Sequence, residues 1–229
     1  MNMEPRFFSL GENAITVEFA NEISEALNDR VLSAAKYLDS HPFDGYIETF
    51  PAISSFTVFY DTYRIRKNFS EFETAFDAVK DIILNALEYS ALSELGDMRT
   101  HEIPVFFDEA SAPDLQAVAE NHTITPAEVI DLFTSRVYRV FMIGFLPGFA
   151  YMGEVDERIA TPRKATPRVH VPKGSVGIAG RQTGIYPFES PGGWQIIGRT
   201  TAELFTADDE TPCLFKAGDT VKFYEVEPV

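Results

Sequence analysis

Two arginines stand five residues apart in Thr161-Pro162-Arg163-Lys164-Ala165-Thr166-Pro167-Arg168, each directly after a proline. A planar guanidinium donates parallel hydrogen bonds to a carboxylate or phosphate. Two of them preset by proline predict a clamp for one small anion, the plain alternative being a surface loop with solvated arginines. Further on, Gln182, Thr183, Tyr186 and Ser190 crowd donors and acceptors around glycines, as in a lined pocket. The same residue types beside Gly and Pro also make turns. Trp194, the chain's only tryptophan, follows Gly192-Gly193 and either floors a ligand pocket or plugs a core. The candidate pocket is therefore Arg163, Arg168, Gln182, Thr183, Tyr186, Ser190 and Trp194. No nucleophile, general acid or general base can be named among them.

Other chemistries lack their residues. There is no phosphate-binding loop ending in Gly-Lys-Ser/Thr, and Gly174, Gly177 and Gly180 are spaced by three, which is not the dinucleotide fingerprint. Gly174-Ser175-Val176-Gly177 is not a nucleophile elbow. His41, His101, His122 and His170 are scattered without metal-ligand spacing, so no metal site is expected in this chain. Cys213, the only cysteine, precedes Leu214-Phe215 and reads as core.

The elements that must hold the pocket are short strands. Between residues 141 and 200 lie ten of the chain's 14 glycines and six of its 14 prolines. That content predicts strands joined by shaped loops, closing into a barrel or nearly so. This half begins with a strand at His101–Phe107. Two short helices follow: one over 112–122, and one with Thr125 as N-cap, Pro126 at the first position and Glu128 closing a capping box. A strand at Val137–Ile143 leads into Gly-Phe-Leu-Pro-Gly-Phe, and Thr220–Val226 closes the chain. Phe145, Phe149, Tyr151 and Met152 form either an exposed apolar patch for another protein or part of the core.

The first half reads as ββα-ββα. Strands are predicted at 6–10, 14–19, 46–50 and 54–60, where Ile15, Val17 and Phe19 alternate with polar partners. A helix over 21–38 buries Ile23, Leu27, Val31, Ala34 and Leu38. A second over 70–90, opened by a Ser70/Glu73 capping box, buries Phe72, Phe76, Val79, Ile83 and Leu87. The predicted division is a small α+β domain over 1–95 and a barrel domain over 96–229, with the linker at 91–98.

Charge separates the same stretch. From Arg158 to Arg199 there are seven basic residues and one acid, a net of +6 in a chain of −16, which leaves −22 on the remainder. Such an island focuses field on an anion, unless its side chains pair with the acidic remainder or an acidic partner. A pI near 4.6 argues against nucleic acid. No run of 18 apolar residues and no signal-peptide core are present, so no membrane span and a cytoplasmic location are expected.

The segment Gly-Phe-Leu-Pro-Gly-Phe-Ala-Tyr-Met-Gly, followed by residues 162–200 with GSVGIAGRQTGIYP and SPGGW, resembles the family of the 5-oxoprolinase B subunit. That family includes the sporulation histidine-kinase inhibitor (KipI) and proteins labelled allophanate hydrolase subunit 1. Pro113-Asp114-Leu115 and Pro126–Ile130 fit the same pattern, and the first half matches in layout. The resemblance implies an α+β N-terminal domain and a cyclophilin-like β-barrel. It implies a non-autonomous enzyme component that acts with the C subunit, a second cyclophilin-like barrel, and with the A subunit. Together they convert 5-oxo-L-proline to L-glutamate. ATP, with magnesium, is the implied co-substrate, and no tightly bound cofactor is implied. Phosphorylation of the lactam oxygen would make an unreactive ring carbon attackable, with arginines and backbone amides stabilising phosphate charge. The implied alternative is inhibition of a histidine kinase by binding. No carboxylate set for magnesium is evident in the basic stretch, and no amidase serine–lysine signature is present. The family pattern has a histidine where this chain has Phe133, two glycines at Gly153-Glu154, and a glycine at Ala112.

Overall fold

β-branched and aromatic runs in the first half pair into one antiparallel sheet. A computed structural model describes residues 4–90 and 97–227. Strands β1 (Arg6–Ser9), β2 (Ala14–Glu18), β3 (Tyr46–Pro51) and β4 (Ser55–Tyr60) lie in the order β1-β2-β4-β3. Register sets Ile15 opposite Val58 and Val17 opposite Phe56, so one face carries the apolar residues. Helices α1 (Glu25–Ser40) and α3 (Ala75–Ser90) supply Val31, Ala34, Leu38, Val79 and Ile83 to the same core.

Three local predictions change here. α1 begins at Glu25 rather than at residue 21, so Ile23 stands ahead of the helix and is only half-buried. α3 begins at Ala75 rather than at residue 70, because Thr74, not Ser70, caps it: its Oγ1 accepts from the Asp77 N–H at 3.1 Å. A short helix, α2 (Thr62–Asn68), precedes it, capped by Asp61, whose side chain accepts from the Arg64 N–H. Its single buried residue, Ile65, gives too little periodicity to see in sequence.

The second half builds the barrel. Its strands are β5 (Thr100–Val105), β6 (Val137–Ile143), β7 (Ala150–Gly153), β8 (Arg168–Val171), β9 (Ser175–Ala179), β10 (Gln182–Ile185), β11 (Ser190–Gly192), β12 (Gln195–Arg199) and β13 (Thr220–Glu225). Seven form one sheet in the order β12-β9-β10-β7-β6-β13-β5, while β8 and β11 pair separately. The sheet's two edge strands meet at their ends. The Phe106 N–H donates to Arg199 O (2.8 Å) and the Arg199 N–H to Phe106 O (3.0 Å), which nearly closes the barrel. Helices α4 (Leu115–His122) and α5 (Pro126–Thr134) pack Leu115, Val118, Ala119, Val129 and Phe133 onto the barrel core. The Thr125/Glu128 capping box of α5 is formed as its sequence requires. An α+β unit followed by a barrel is thus the architecture.

Residue contacts divide the chain into Met1–Asp97 and Met98–Val229. Most of the linker expected at 91–98 lies outside the described residues. No described helix is long and apolar enough to cross a membrane.

Candidate functional site

A cavity of about 260 Å³ opens beside the β8–β11 pair, walled by Phe145, Phe149, Tyr151, Tyr186 and Trp194 and edged by Arg163, Pro167 and Gly192-Gly193. The rings pack edge to face. Phe149 sits 5.4 Å from Phe145, 4.9 Å from Tyr151, 5.4 Å from Tyr186 and 5.5 Å from Trp194. The Arg163 guanidinium lies 5.8 Å from the Trp194 ring. This volume is below the ~300–1,000 Å³ of drug-sized ligand sites, so the cavity suits a small ring and not a whole nucleotide.

The backbone that holds these rings is shaped by residues a sequence can show. The loop between β6 and β7 places Phe145 at φ 69°, a left-handed conformation unusual for an aromatic residue. Gly148 makes that loop possible: at φ +81°, an added Cβ would lie 2.8 Å from Leu204 O. Opposite, Tyr186 is almost wholly buried because Gly192 has no side chain, and a Cβ there would run into the Tyr186 hydroxyl and ring.

Of the seven candidate residues, the structure brings Arg163, Tyr186 and Trp194 together at this cavity. Trp194 is both wall and core, only 5% exposed. The other four stand elsewhere. Thr183 is fully buried on β10, its hydroxyl donating to Gly177 O at 2.9 Å. Ser190 is buried and its hydroxyl donates to Pro191 O. Gln182 lies in the ladder between Gly153 and Ala179. Arg168 departs from the expected two-arginine clamp. Its Nη2 donates to Asp114 Oδ1 at 2.6 Å, while its Nη1 is buried with no partner among the described residues.

The basic island is largely neutralised from within the chain. Arg158 pairs with Asp156, Lys173 with Glu203, Arg181 with Glu154 and Glu157, and both Lys164 and Arg168 with Asp114. Arg199 donates through Nε to Lys173 O. Arg163 alone of the seven has no hydrogen bond or ion pair among the described residues. Two of the seven, Arg163 and Arg199, thus lack an acid partner among the described residues, and of these only Arg163 stands at the lip of the aromatic cavity.

Sequence reasoning misses two parts. Phe145, Phe149 and Tyr151 read in sequence as patch or core, yet they are cavity walls. Of the four expected patch residues, Phe145 is 59% exposed, Tyr151 is half-buried, and Phe149 and Met152 are buried. The other part is Asp114. Its carboxylate is almost wholly buried and accepts from Lys164 Nζ (2.9 Å), Arg168 Nη2 (2.6 Å) and the Ile196 N–H (2.7 Å). Burial pushes the Asp114 carboxyl up, but the Arg168, Lys164 and Ile196 donors outweigh burial and hold it below the ordinary carboxylate range. Burial also pushes the Tyr186 phenol up, only partly offset by the Trp194 backbone N–H and the charges of Arg163 and Arg168, so it stays neutral near pH 7.

Phe133, where the family pattern has histidine, is not at this cavity. It is fully buried, 4.9 Å from Phe223 and 5.1 Å from Tyr138. Cys213 is half-buried, opposite Phe205, rather than in the core. Among the described residues no group of three or more His, Cys, Asp and Glu is placed to share a metal ion.

A nearly closed barrel after an α+β unit, with an aromatic cavity beside the β8–β11 pair, has known counterparts. The family model described as carboxyltransferase domain, subdomain C and D, matches residues 5–215. The 5-oxoprolinase B subunit of Bacillus subtilis is 43% identical, covering 99% of this chain and 95% of that protein. Its namesake in Escherichia coli O157:H7 is 37% identical, covering 95% and 94%. Among solved structures, TTHA0988 superposes with a TM-score of 0.78 at 33% identity, over 95% of this chain and 40% of that one. A conserved uncharacterised protein of Pyrococcus horikoshii gives 0.55 at 40% identity, over 97% and 98%. The urea amidolyase of K. lactis shares the fold (TM-score 0.76) at 20% identity, with this chain spanning 15% of it. The chain therefore belongs to the carboxyltransferase subdomain C and D family, and within it to the family of 5-oxoprolinase B subunits.

Proposed function

We propose that this chain is the B subunit of a cytoplasmic, ATP-dependent 5-oxoprolinase, acting with the C and A subunits to convert 5-oxo-L-proline to L-glutamate. The observation that carries the site assignment is the uncommitted Arg163 guanidinium at the lip of the aromatic cavity. A five-membered lactam presents flat apolar faces and one carboxylate. In this reading Phe149, Tyr186 and Trp194 take the ring, and Arg163 pairs with the carboxylate. The neutral Tyr186 phenol is a hydrogen-bond donor for the lactam oxygen. The relatives named as 5-oxoprolinase B subunits, similar over nearly the whole chain, support the reaction and the partners. ATP is the co-substrate of this reading. The cavity is small for a nucleotide, so its phosphates approach from the open side, with the partner subunits completing that site.

The test is reconstitution. Glutamate release from 5-oxoproline with ATP is measured for the A and C subunits with and without this chain. The reading expects activity only when all three are present. Equal activity after omission would refute it and turn attention to binding of a histidine kinase.

A further inference from the structure

Arg163 is exposed and held by no hydrogen bond or ion pair of its own, only by the Trp194 ring. A long side chain on a surface loop keeps one place only if the backbone around it is fixed, since its own rotamer freedom is large. Here both flanks are fixed to the segment that carries Trp194. Pro162 O accepts from Gln195 Nε2 at 2.9 Å, and the Lys164 N–H donates to Gly193 O at 2.7 Å. At the far end of the loop Arg168 stands opposite Gly192 in the β8–β11 ladder.

Asp114 closes this frame from outside the cavity. One carboxylate reaches the side chain next to Arg163, the end of its loop, and the backbone two residues past Trp194. The Asp114 N–H also donates to Ile196 O at 2.9 Å. An aspartate just before a helix ordinarily caps it. Asp114 occupies the N-cap position of α4 but makes no side-chain cap bond. Its carboxylate is given to the loop instead, with its side chain 4% exposed. A buried charge satisfied by two cations and a backbone N–H makes a single rigid arrangement, because each donor withdrawn leaves the carboxylate under-paired.

We propose that Asp114 is the positioning residue of the aromatic cavity: by tying Lys164, Arg168 and Ile196 to one carboxylate it fixes Arg163 over Trp194. Lys164 and Arg168 are its braces, each giving a donor to the carboxylate.

Trp194 is the chain's only tryptophan, so its emission in the full-length chain reads the cavity directly. Acrylamide quenching is measured for the unsubstituted chain, Asp114→Asn, Arg163→Ala and the double variant, at a temperature where circular dichroism shows each folded. Asp114→Asn is expected to raise the quenching constant as Arg163→Ala does, with the double variant no higher than Arg163→Ala alone. Lys164→Met, which leaves Asp114 paired with Arg168 and Ile196, is expected to give a smaller rise and serves if Asp114→Asn does not fold. Quenching unchanged in Asp114→Asn, or in Lys164→Met when only that variant folds, would overturn the proposal, as would effects that simply add to those of Arg163→Ala. A kinetic arm rests on the substrate reading above. In the assembled enzyme the KM for 5-oxoproline should rise in Asp114→Asn, at most by the roughly tenfold that loss of the Arg163 contact itself would give. A shifted Trp194 signal with unchanged KM supports the positioning role and refutes the substrate reading instead.

Discussion

Replacing Arg163 by alanine should raise the KM for 5-oxoproline with little change in kcat. In the proposed reading, removing the guanidinium deletes a charge-assisted contact to the substrate carboxylate, and such contacts contribute about 1.5–3 kcal/mol. Arg163 is exposed at the lip and not buried, so solvent screening puts the effect at the low end, about 1.5 kcal/mol. That corresponds to roughly a tenfold rise in KM. The contact is made by ground state and transition state alike, so it is uniform binding and kcat should stay level. Arg163→Lys keeps the charge but loses the fork and the stacking on Trp194, and should fall between the two. The assay is coupled detection of glutamate at saturating ATP, with 5-oxoproline varied and the complex assembled from all three subunits. The reasoning fails if KM moves by less than about twofold, or if the whole loss is in kcat, the mark of an interaction made only in the transition state.

Three other outcomes follow from the same geometry. Gly192→Ala drives a methyl into Tyr186, and overpacking of this kind costs about 1–3 kcal/mol; urea unfolding followed by Trp194 emission should show the loss, with weaker substrate binding in the folded protein. Phe133→His buries an imidazole among Tyr138 and Phe223 without a partner, costing roughly 1–3 kcal/mol in the same unfolding assay, while KM stays unchanged because Phe133 is not a cavity wall. Acid unfolding should depend on Asp114. Its folded pKa is depressed, so its contribution is present above the unfolded value of about 3.9 and is lost as pH falls through the folded one. In Asp114→Asn the fall in stability below about pH 4 should be shallower; Asp156 and Asp219, also held low, keep some of the slope.

The parts of this protein that are legible in sequence are those set by near neighbours. The α5 capping box needs only Thr125 and Glu128, three residues apart, and it forms as written. The same pattern at Ser70 and Glu73 misleads, because Thr74 and Asp77 make an equivalent start a few residues on and the helix takes the later one. Half of the cavity is legible for a similar reason: Arg163, Tyr186 and Trp194 each stand beside the prolines and glycines that shape their turns. Arg168 looks the same locally. Its destination depends on Asp114, 54 residues earlier, which local spacing cannot reveal. The remaining walls, Phe145, Phe149 and Tyr151, read equally as patch or core, because one aromatic-rich segment supplies an exposed ring (Phe145), a half-buried one (Tyr151) and a buried one (Phe149), and which is which is set by the loop's fold and not by residue type.

The most direct measurement is a structure of the assembled complex with 5-oxo-L-proline bound. The account predicts the ring between Phe149, Tyr186 and Trp194, with the carboxylate on Arg163. A ring lodged elsewhere, with this cavity empty or filled by a partner's side chain, would contradict it.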